Sequence, residues 1–386
     1  MFRSVSESFP DQCSRISAPT TAPPSTDGLA FGVREKSSGA LGDPVNVPWK
    51  DLARHTLVVA GSGSGKTNLL KRIVEEAAIA RIPSILVDCN NDLIGLVEKR
   101  PPEAIPTGWT DEDREKERRF AESGEVITWT PNRRNGNPLS LQLLPKFALS
   151  ADDPDELAVL VNVACNSLEK VVAPGASGRA KKMKGVLSQV VKYFAEHSGD
   201  SIEGLIEMLR QLPSDVHTGI TDEVKLAEEM ADQLQAQLNS SPLWSAEGSP
   251  LDSAELFGLR STKTRISIMS MIGLPERDMQ QSFLNQLTME LFTWIKRNPA
   301  EDGTLRGLLV IDEAKEFVPS GQGSACKDAL IRLVAQARKY GLGILFATQA
   351  PKDIDHRIFN NCFTQIFGQV NSPASCRHNV RESDCV

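Results

Sequence analysis

One stretch constrains this chain more than any other: Leu57-Val58-Val59-Ala60-Gly61-Ser62-Gly63-Ser64-Gly65-Lys66-Thr67. An apolar, β-branched run stops at a glycine-rich loop, and Asn68-Leu69-Leu70-Lys71-Arg72-Ile73-Val74 continues with helical spacing. The order is strand, phosphate-cradling loop, helix N-terminus. Glycines at 61, 63 and 65 let backbone N–H groups curl around an anion without a Cβ in the way. The start of the helix adds its partial positive charge. In this pattern Lys66 reaches the β- and γ-phosphates of a nucleoside triphosphate, and the Thr67 hydroxyl ligates Mg²⁺. The candidate nucleotide-binding set is therefore Gly61, Ser62, Gly63, Ser64, Gly65, Lys66, Thr67 and Asn68. Ala60 stands where the usual G-x-x-x-x-G-K-[ST] pattern has its first glycine, a departure that does not block the turn.

The next strand, Ser84-Ile85-Leu86-Val87-Asp88, follows a helix over about 67–80 and the break at Pro83. Alternation of strand, helix and strand implies a parallel sheet, which binds ligands outside its C-terminal strand ends. Asp88 lies at such an end, either as a site carboxylate or as a turn former. Residues 101–124 are charged and peripheral. Glu125–Trp129 is a further strand, and Arg134-Asn135-Gly136-Asn137 is a turn.

From about 150 to 255 the pattern becomes helical, with apolar periodicity over 155–168, 178–198, 201–211 and 221–238. This reads as a helical insertion with its own small core. Its basic cluster, Arg179, Lys181, Lys182 and Lys184, is either a solvated helix face or a contact for a phosphate backbone. The sheet resumes at 264–270, followed by a long amphipathic helix over about 275–297.

Leu308-Leu309-Val310-Ile311-Asp312-Glu313 then delivers two adjacent carboxylates at a strand end. Beside a phosphate loop, Asp312 suits the Mg²⁺ shell and Glu313 the polarisation of an attacking water. Successive side chains leave a strand in opposite directions, so the two are expected to keep separate roles. A helix over about 325–340 leads to the strand 343–349, and 363–367 is the last strand. Gln349 is placed to sense the γ-phosphate or the water. Arg338 ends the intervening helix, where a cation suits the helix terminus and could equally serve a neighbouring subunit as an arginine finger.

The net charge of −7 argues against a chain that coats nucleic acid over its whole surface, though not against a local basic pore. No apolar run approaches the roughly 18 residues that span a membrane, and the N-terminus lacks the apolar core of a signal peptide. Seven cysteines, far apart and without a Cys-x-x-Cys, read as reduced thiols in a cytoplasmic protein with no zinc site. By composition, residues 1–28 are disordered, 29–149 and 259–372 form the two parts of one core, 150–258 the insertion, and 373–386 an irregular tail.

Together, His55–Leu70, Ile85–Leu93, Asp312-Glu313-Ala314, Arg338-Lys339-Tyr340-Gly341 and Thr348-Gln349-Ala350-Pro351 resemble the HerA-type branch of the HerA/FtsK superfamily of hexameric ATPases. The resemblance covers about residues 45–372. It implies an α/β fold with a RecA-like P-loop NTPase core, a mainly parallel sheet, and an extra strand between Lys66 and Glu313. It also implies ATP and Mg²⁺ as ligands, hydrolysis involving Glu313, Lys66, Gln349 and Arg338, and a homo-oligomeric ring. DNA translocation, with a nuclease or other effector as partner, completes what it implies. Three departures stand out. The family's N-terminal β-barrel has no room, Lys315 stands where histidine is frequent, and the polar ending reads as truncated or frame-shifted. A related conjugation or secretion motor, or a nucleotide-switched scaffold that does not translocate, are the alternatives.

Overall fold

Short apolar runs bounded by Gly, Pro and Asn become buried strands here, and the amphipathic runs between them become helices. A computed structural model describes residues 28–35, 41–97, 110–133, 135–140, 144–145, 147–150, 153–197, 199, 201–240, 248–300, 304–321 and 323–369. The expectations for the first 27 residues and for 373–386 lie outside these.

A hairpin of β1 (Gly28–Glu35) and β2 (Leu41–Pro48) precedes α1 (Trp49–Leu52), β3 (Thr56–Val59), α2 (Lys66–Ile79), β4 (Ser84–Asp88), α3 (Asp111–Ser123) and β5 (Gly124–Trp129). A two-residue strand, β6 (Leu139–Ser140), leads to α4 (Pro154–Val172), α5 (Gly178–Glu196), α6 (Ile202–Arg210) and α7 (Glu223–Ser240). The chain returns through β7 (Ser249–Pro250), which pairs with β6, and α8 (Ser253–Leu256). It ends with β8 (Thr264–Ser270), α9 (Arg277–Arg297), β9 (Gly307–Ile311), α10 (Lys327–Ala337), β10 (Leu342–Thr348), α11 (His356–Asn361) and β11 (Thr364–Phe367).

Seven of these strands form one parallel sheet in the order β11-β3-β10-β9-β4-β8-β5. The two-residue side-chain period divides each strand between two cores. Leu57, Val59, Ile85, Val87, Leu309 and Ile311 face one core, with Leu284 and Leu287 of α9 and Leu330 and Leu333 of α10. Val58, Leu86, Leu308 and Val310 face the other, with Leu70, Ile73 and Val74 of α2 and Leu29 of the hairpin. Because both faces are covered, the strands read as continuous apolar runs. The insertion helices gather around a third core, to which Met289 of α9 adds partly buried contact.

β10 separates β3 from β9, as the resemblance implies. The C-terminal ends of these three strands, which carry the phosphate loop, Asp312-Glu313 and Gln349, therefore lie side by side.

Several details differ from the sequence reading. The charged stretch before β5 contains α3, which buries no residue and so lacks the apolar period that would reveal it. It is fixed instead by a capping box between Thr110 and Asp113 and by three acids in its first turn. The helix after β9 leaves α-geometry at Ala337, and Arg338–Tyr340 forms a 3₁₀ turn closed by Gly341 at φ 76°. β7 places a two-residue strand inside a stretch that reads as purely helical. Among the described residues, no helix is long and apolar enough to cross a membrane. Four described cysteines, Cys89, Cys165, Cys326 and Cys362, are free thiols.

Candidate active site

The phosphate loop takes its shape from two glycines. Gly63 and Gly65 have φ of 75° and 87°, the left-handed region that penalises any Cβ. A Cβ at either would meet nothing within 4 Å, so backbone conformation and not space calls for glycine there. Ser64 Oγ donates to the Gly61 carbonyl at 2.5 Å and steadies the turn. Gly65 caps α2 without a side-chain bond, and the first turn of α2 holds no acidic residue. The leading N–H groups of this helix thus meet no carboxylate from their own turn, the arrangement that suits an anion. Thr67 and Asn68 sit in that turn, and Ser62 is exposed on the loop.

Two loop positions have other engagements. Gly61 N–H donates to the Gln369 carbonyl at 2.9 Å, which ties the loop to the chain after β11. A Cβ on Gly368 would lie 2.9 Å from the Ala60 Cβ, so the departure at position 60 faces a glycine across the sheet.

Lys66 is buried and bridges the site. Its Nζ donates to Asp312 Oδ1 and to Glu313 Oε1, each at 2.6 Å. Opposed directions for these carboxylates, expected from strand alternation, are not found. β9 ends at Ile311, and Glu313 turns left-handed at φ 51°, which brings both acids to one ammonium. Gln349 Nε2 donates to the same Glu313 Oε1 at 2.6 Å. Lys315 Nζ stands 3.9 Å from Glu313 Oε2.

The electrostatics follow from burial and these partners. Burial disfavours the Lys66 ammonium, but Asp312 and Glu313 outweigh it, and its pKa stands above the usual lysine value. Burial likewise disfavours the Glu313 carboxylate, but the bonds from Lys66 and Gln349 outweigh it and hold its pKa below the usual range. Asp312 Oδ2 and Glu313 Oε2 are buried without a hydrogen-bond partner. Buried polar atoms of this kind call for a ligand. Mg²⁺ is commonly held by one or two carboxylates plus phosphate oxygens, so Asp312 and Thr67 beside an anion cradle fit it.

Other predicted positions fall elsewhere. Asp88 accepts the Asp92 N–H at 3.1 Å and the Leu93 N–H at 2.9 Å, so its carboxylate shapes the turn after β4. Burial raises its pKa, the Leu93 bond opposes this, and the nearby Asp312 charge adds to the rise. Arg338 is exposed just before β10, at the opposite end of the strands from its own phosphate loop, which follows the adjacent parallel strand β3. In the insertion, Arg179 is paired with Glu229, and Lys184 with Glu169 at 2.9 Å, while Lys181 and Lys182 are exposed.

Two residues escaped the sequence reading. His55 is buried at the foot of β3; its Nε2 donates to the Val334 carbonyl at 2.8 Å and its Nδ1 accepts the Ile344 N–H at 3.1 Å. Gln281 is buried on α9 and bonds the loop after Glu313. Its signal was present: it heads the buried stripe Gln281, Leu284, Thr288, Leu291 and Ile295, where a polar residue needs partners.

The family described as "Helicase HerA, central domain" matches residues 43–291. The DNA double-strand break repair helicase HerA of Saccharolobus solfataricus is 24% identical over 174 residues, which cover 41% of this chain and 35% of that protein. The chain thus aligns with about a third of that relative's length. VirB4 of Thermoanaerobacter pseudethanolicus superposes with a TM-score of 0.50 at 13% identity, over 90% of this chain and 85% of that one. The plasmid coupling protein TrwB, in complex with a non-hydrolysable ATP analogue, gives a TM-score of 0.48 at 15% identity, over 87% and 73%. The fold is a RecA-like P-loop core, and the chain belongs to the HerA central-domain family.

Proposed function

We propose that the chain is an ATP-hydrolysing motor subunit of HerA/FtsK type that works in the cytoplasm as a homo-oligomeric ring, a hexamer, and translocates DNA. One observation carries this reading: Lys66, Asp312, Glu313 and Gln349, from three neighbouring strand ends, converge within hydrogen-bond distance.

The triphosphate of ATP lies against the Gly61–Asn68 loop and the start of α2. Lys66 leaves the carboxylates and neutralises charge on the β- and γ-phosphates. Thr67 and Asp312 would hold Mg²⁺, which would supply further neutralisation of phosphate charge. Glu313, released from the ammonium, accepts a proton from the attacking water at a carboxylate oxygen. Gln349 orients that water or reads the γ-phosphate. Arg338 is offered to the site of a neighbouring subunit.

The insertion points to a second reading for the partner. Residues 150–258 carry 18 acidic and 8 basic side chains, and two of the four clustered basic residues are already ion-paired. Such a surface suits a basic face on a nuclease or other effector better than a phosphate backbone. A nucleotide-switched scaffold for that effector is the alternative it favours.

ATPase activity with and without duplex DNA, run beside a native mass measurement, tests both. Stimulation by DNA in a ring is the expected result. A chain without ATPase overturns hydrolysis. ATPase with no DNA response, together with ATP-dependent effector binding, favours the scaffold, and co-fractionation with membranes favours a conjugation or secretion motor.

A further inference from the structure

Glu313 is held at φ 51°, a backbone conformation that a glutamate keeps only when its surroundings fix it. The 3₁₀ turn Ala314–Glu316 follows, and Glu316 N–H donates to the Glu313 carbonyl at 2.9 Å. The loop that this turn opens buries Ala314, Phe317 and Val318 in the core under α9 and α10.

Gln281 reaches this loop from the second turn of α9. Its Nε2 donates to the Glu316 carbonyl at 2.9 Å, and its Oε1 accepts the Ala325 N–H at 3.1 Å. One turn earlier, Arg277 pairs with the Glu316 carboxylate. One buried carboxamide therefore fastens both ends of the loop, three residues after Glu313 and two before α10. A carboxamide is suited to this because it offers a donor and an acceptor side by side. Leucine of similar size offers neither. Glutamate can accept from Ala325 but sets an oxygen against the Glu316 carbonyl. The phosphate loop stands apart, since α9 and α2 cover opposite faces of the sheet.

We propose that Gln281 is a positioning residue, which fixes the turn from which Glu313 presents its carboxylate to the attacking water. The proposal rests on the general-base reading of Glu313. It assigns Gln281 no contact with nucleotide, so its loss should act on turnover and not on affinity.

The test uses the full chain carrying Gln281→Leu, Gln281→Glu, Glu313→Gln and the double variant Gln281→Leu/Glu313→Gln. Affinity for a non-hydrolysable ATP analogue should stay within about twofold of wild type in both Gln281 variants, while kcat falls about tenfold or more. The double variant should be no slower than Glu313→Gln alone, because Gln281 acts through Glu313. Gln280→Ala, which removes only the bond from Gln280 to the Leu274 carbonyl just before α9, should keep kcat. Full kcat in both Gln281 variants overturns the proposal, as does an equal loss of affinity and turnover in both. A further drop in the double variant overturns it too. A wild-type chain that does not hydrolyse ATP overturns the general-base reading first, and this proposal with it.

Discussion

Lys66 Nζ lies 2.6 Å from Glu313 Oε1, across the width of β10. The cation of the phosphate loop is thus paired with the carboxylate assigned to the water, and Asp312 shares it at the same distance. The pairing explains how two buried acids are tolerated side by side. On the proposed mechanism it also sets the order of events, because bound nucleotide would have to draw Lys66 away before Glu313 acts as a base.

Lys66→Ala and Glu313→Gln should therefore differ in kind. Lys66→Ala removes phosphate neutralisation and is expected to abolish nucleotide binding. In the absence of nucleotide it also leaves buried Asp312 without its ammonium partner and Glu313 with only Lys315 Nζ at 3.9 Å, at a cost of about 3–5 kcal/mol in stability. Glu313→Gln is expected to bind nucleotide and lose hydrolysis. Analogue binding and thermal unfolding check both, and equal loss of affinity in the two variants would contradict the assignment.

His55 predicts a pH dependence of folding. Burial pushes its pKa down to about 4; the Val334 carbonyl opposes the shift and the Arg338 charge adds to it. Its Nδ1 accepts the Ile344 N–H, so a proton there has no acceptor. The folded state thus binds the proton more weakly than the unfolded state, whose value is 6.5. Stability contributed by the neutral ring is complete above pH 6.5 and declines as pH falls from 6.5 to about 4, by about 3 kcal/mol at most. His55→Asn, which tolerates the left-handed φ of 67°, should flatten that part of the denaturation profile relative to wild type. An unchanged slope would count against a buried neutral histidine.

How far the sequence foretold these features depends on what kind of signal each one leaves. β3, β4, β9 and β10 were legible because strands covered on both faces are continuous apolar runs. Their neighbours in the sheet were not, since such runs do not encode which strand lies beside which. The place of β10 between Lys66 and Glu313 came from resemblance. The left-handed turn at Glu313 left no mark either, because no glycine announces it, and so the convergence of the two acids on one ammonium was missed. α3 was hidden by its lack of an apolar face. His55 and Gln281 have polar neighbours in the chain, Arg54 and Thr56 for one and Gln280 and Ser282 for the other, and their hydrogen-bond partners lie far away in sequence.

Ala60 and Gly368 should behave as a coupled pair. Gly368→Ala brings a Cβ to 2.9 Å from the Ala60 Cβ, between the Gly368 N–H bond to Val59 and the Gly61 N–H bond to Gln369. Overpacking of this kind costs about 1–3 kcal/mol. It should also weaken nucleotide binding by shifting the start of the phosphate loop. Ala60→Gly removes the opposing methyl, so Ala60→Gly/Gly368→Ala should regain much of the loss. Unfolding and analogue binding across the four proteins of the cycle would read the coupling, and strict additivity would disprove it.

Arg338 is expected to act on a neighbour. It precedes β10, whereas Gln349 and the Asp312 and Glu313 carboxylates lie beyond the far end of that strand and its partner β9. The seven residues of β10 span roughly 20 Å, more than one arginine side chain can bridge to its own site. Arg338 is exposed, so its guanidinium is free to face another subunit. A supplied arginine is worth about 10³ to 10⁵ in rate in phosphoryl transfer. Arg338→Ala should therefore cut turnover severely and leave nucleotide affinity nearly intact. Arg338→Lys, which keeps the charge near His55, should stay slow, because a point charge does not reproduce the planar fork. Mixing Arg338→Ala with Lys66→Ala subunits should restore activity, since half of the mixed interfaces join an intact phosphate loop to an intact arginine. ATPase is measured across a titration of the two variants, with co-assembly verified at each ratio. Recovery that peaks at intermediate ratios is the expected result. No recovery at any ratio, or a monomer that hydrolyses ATP at the full rate, would rule out action in trans.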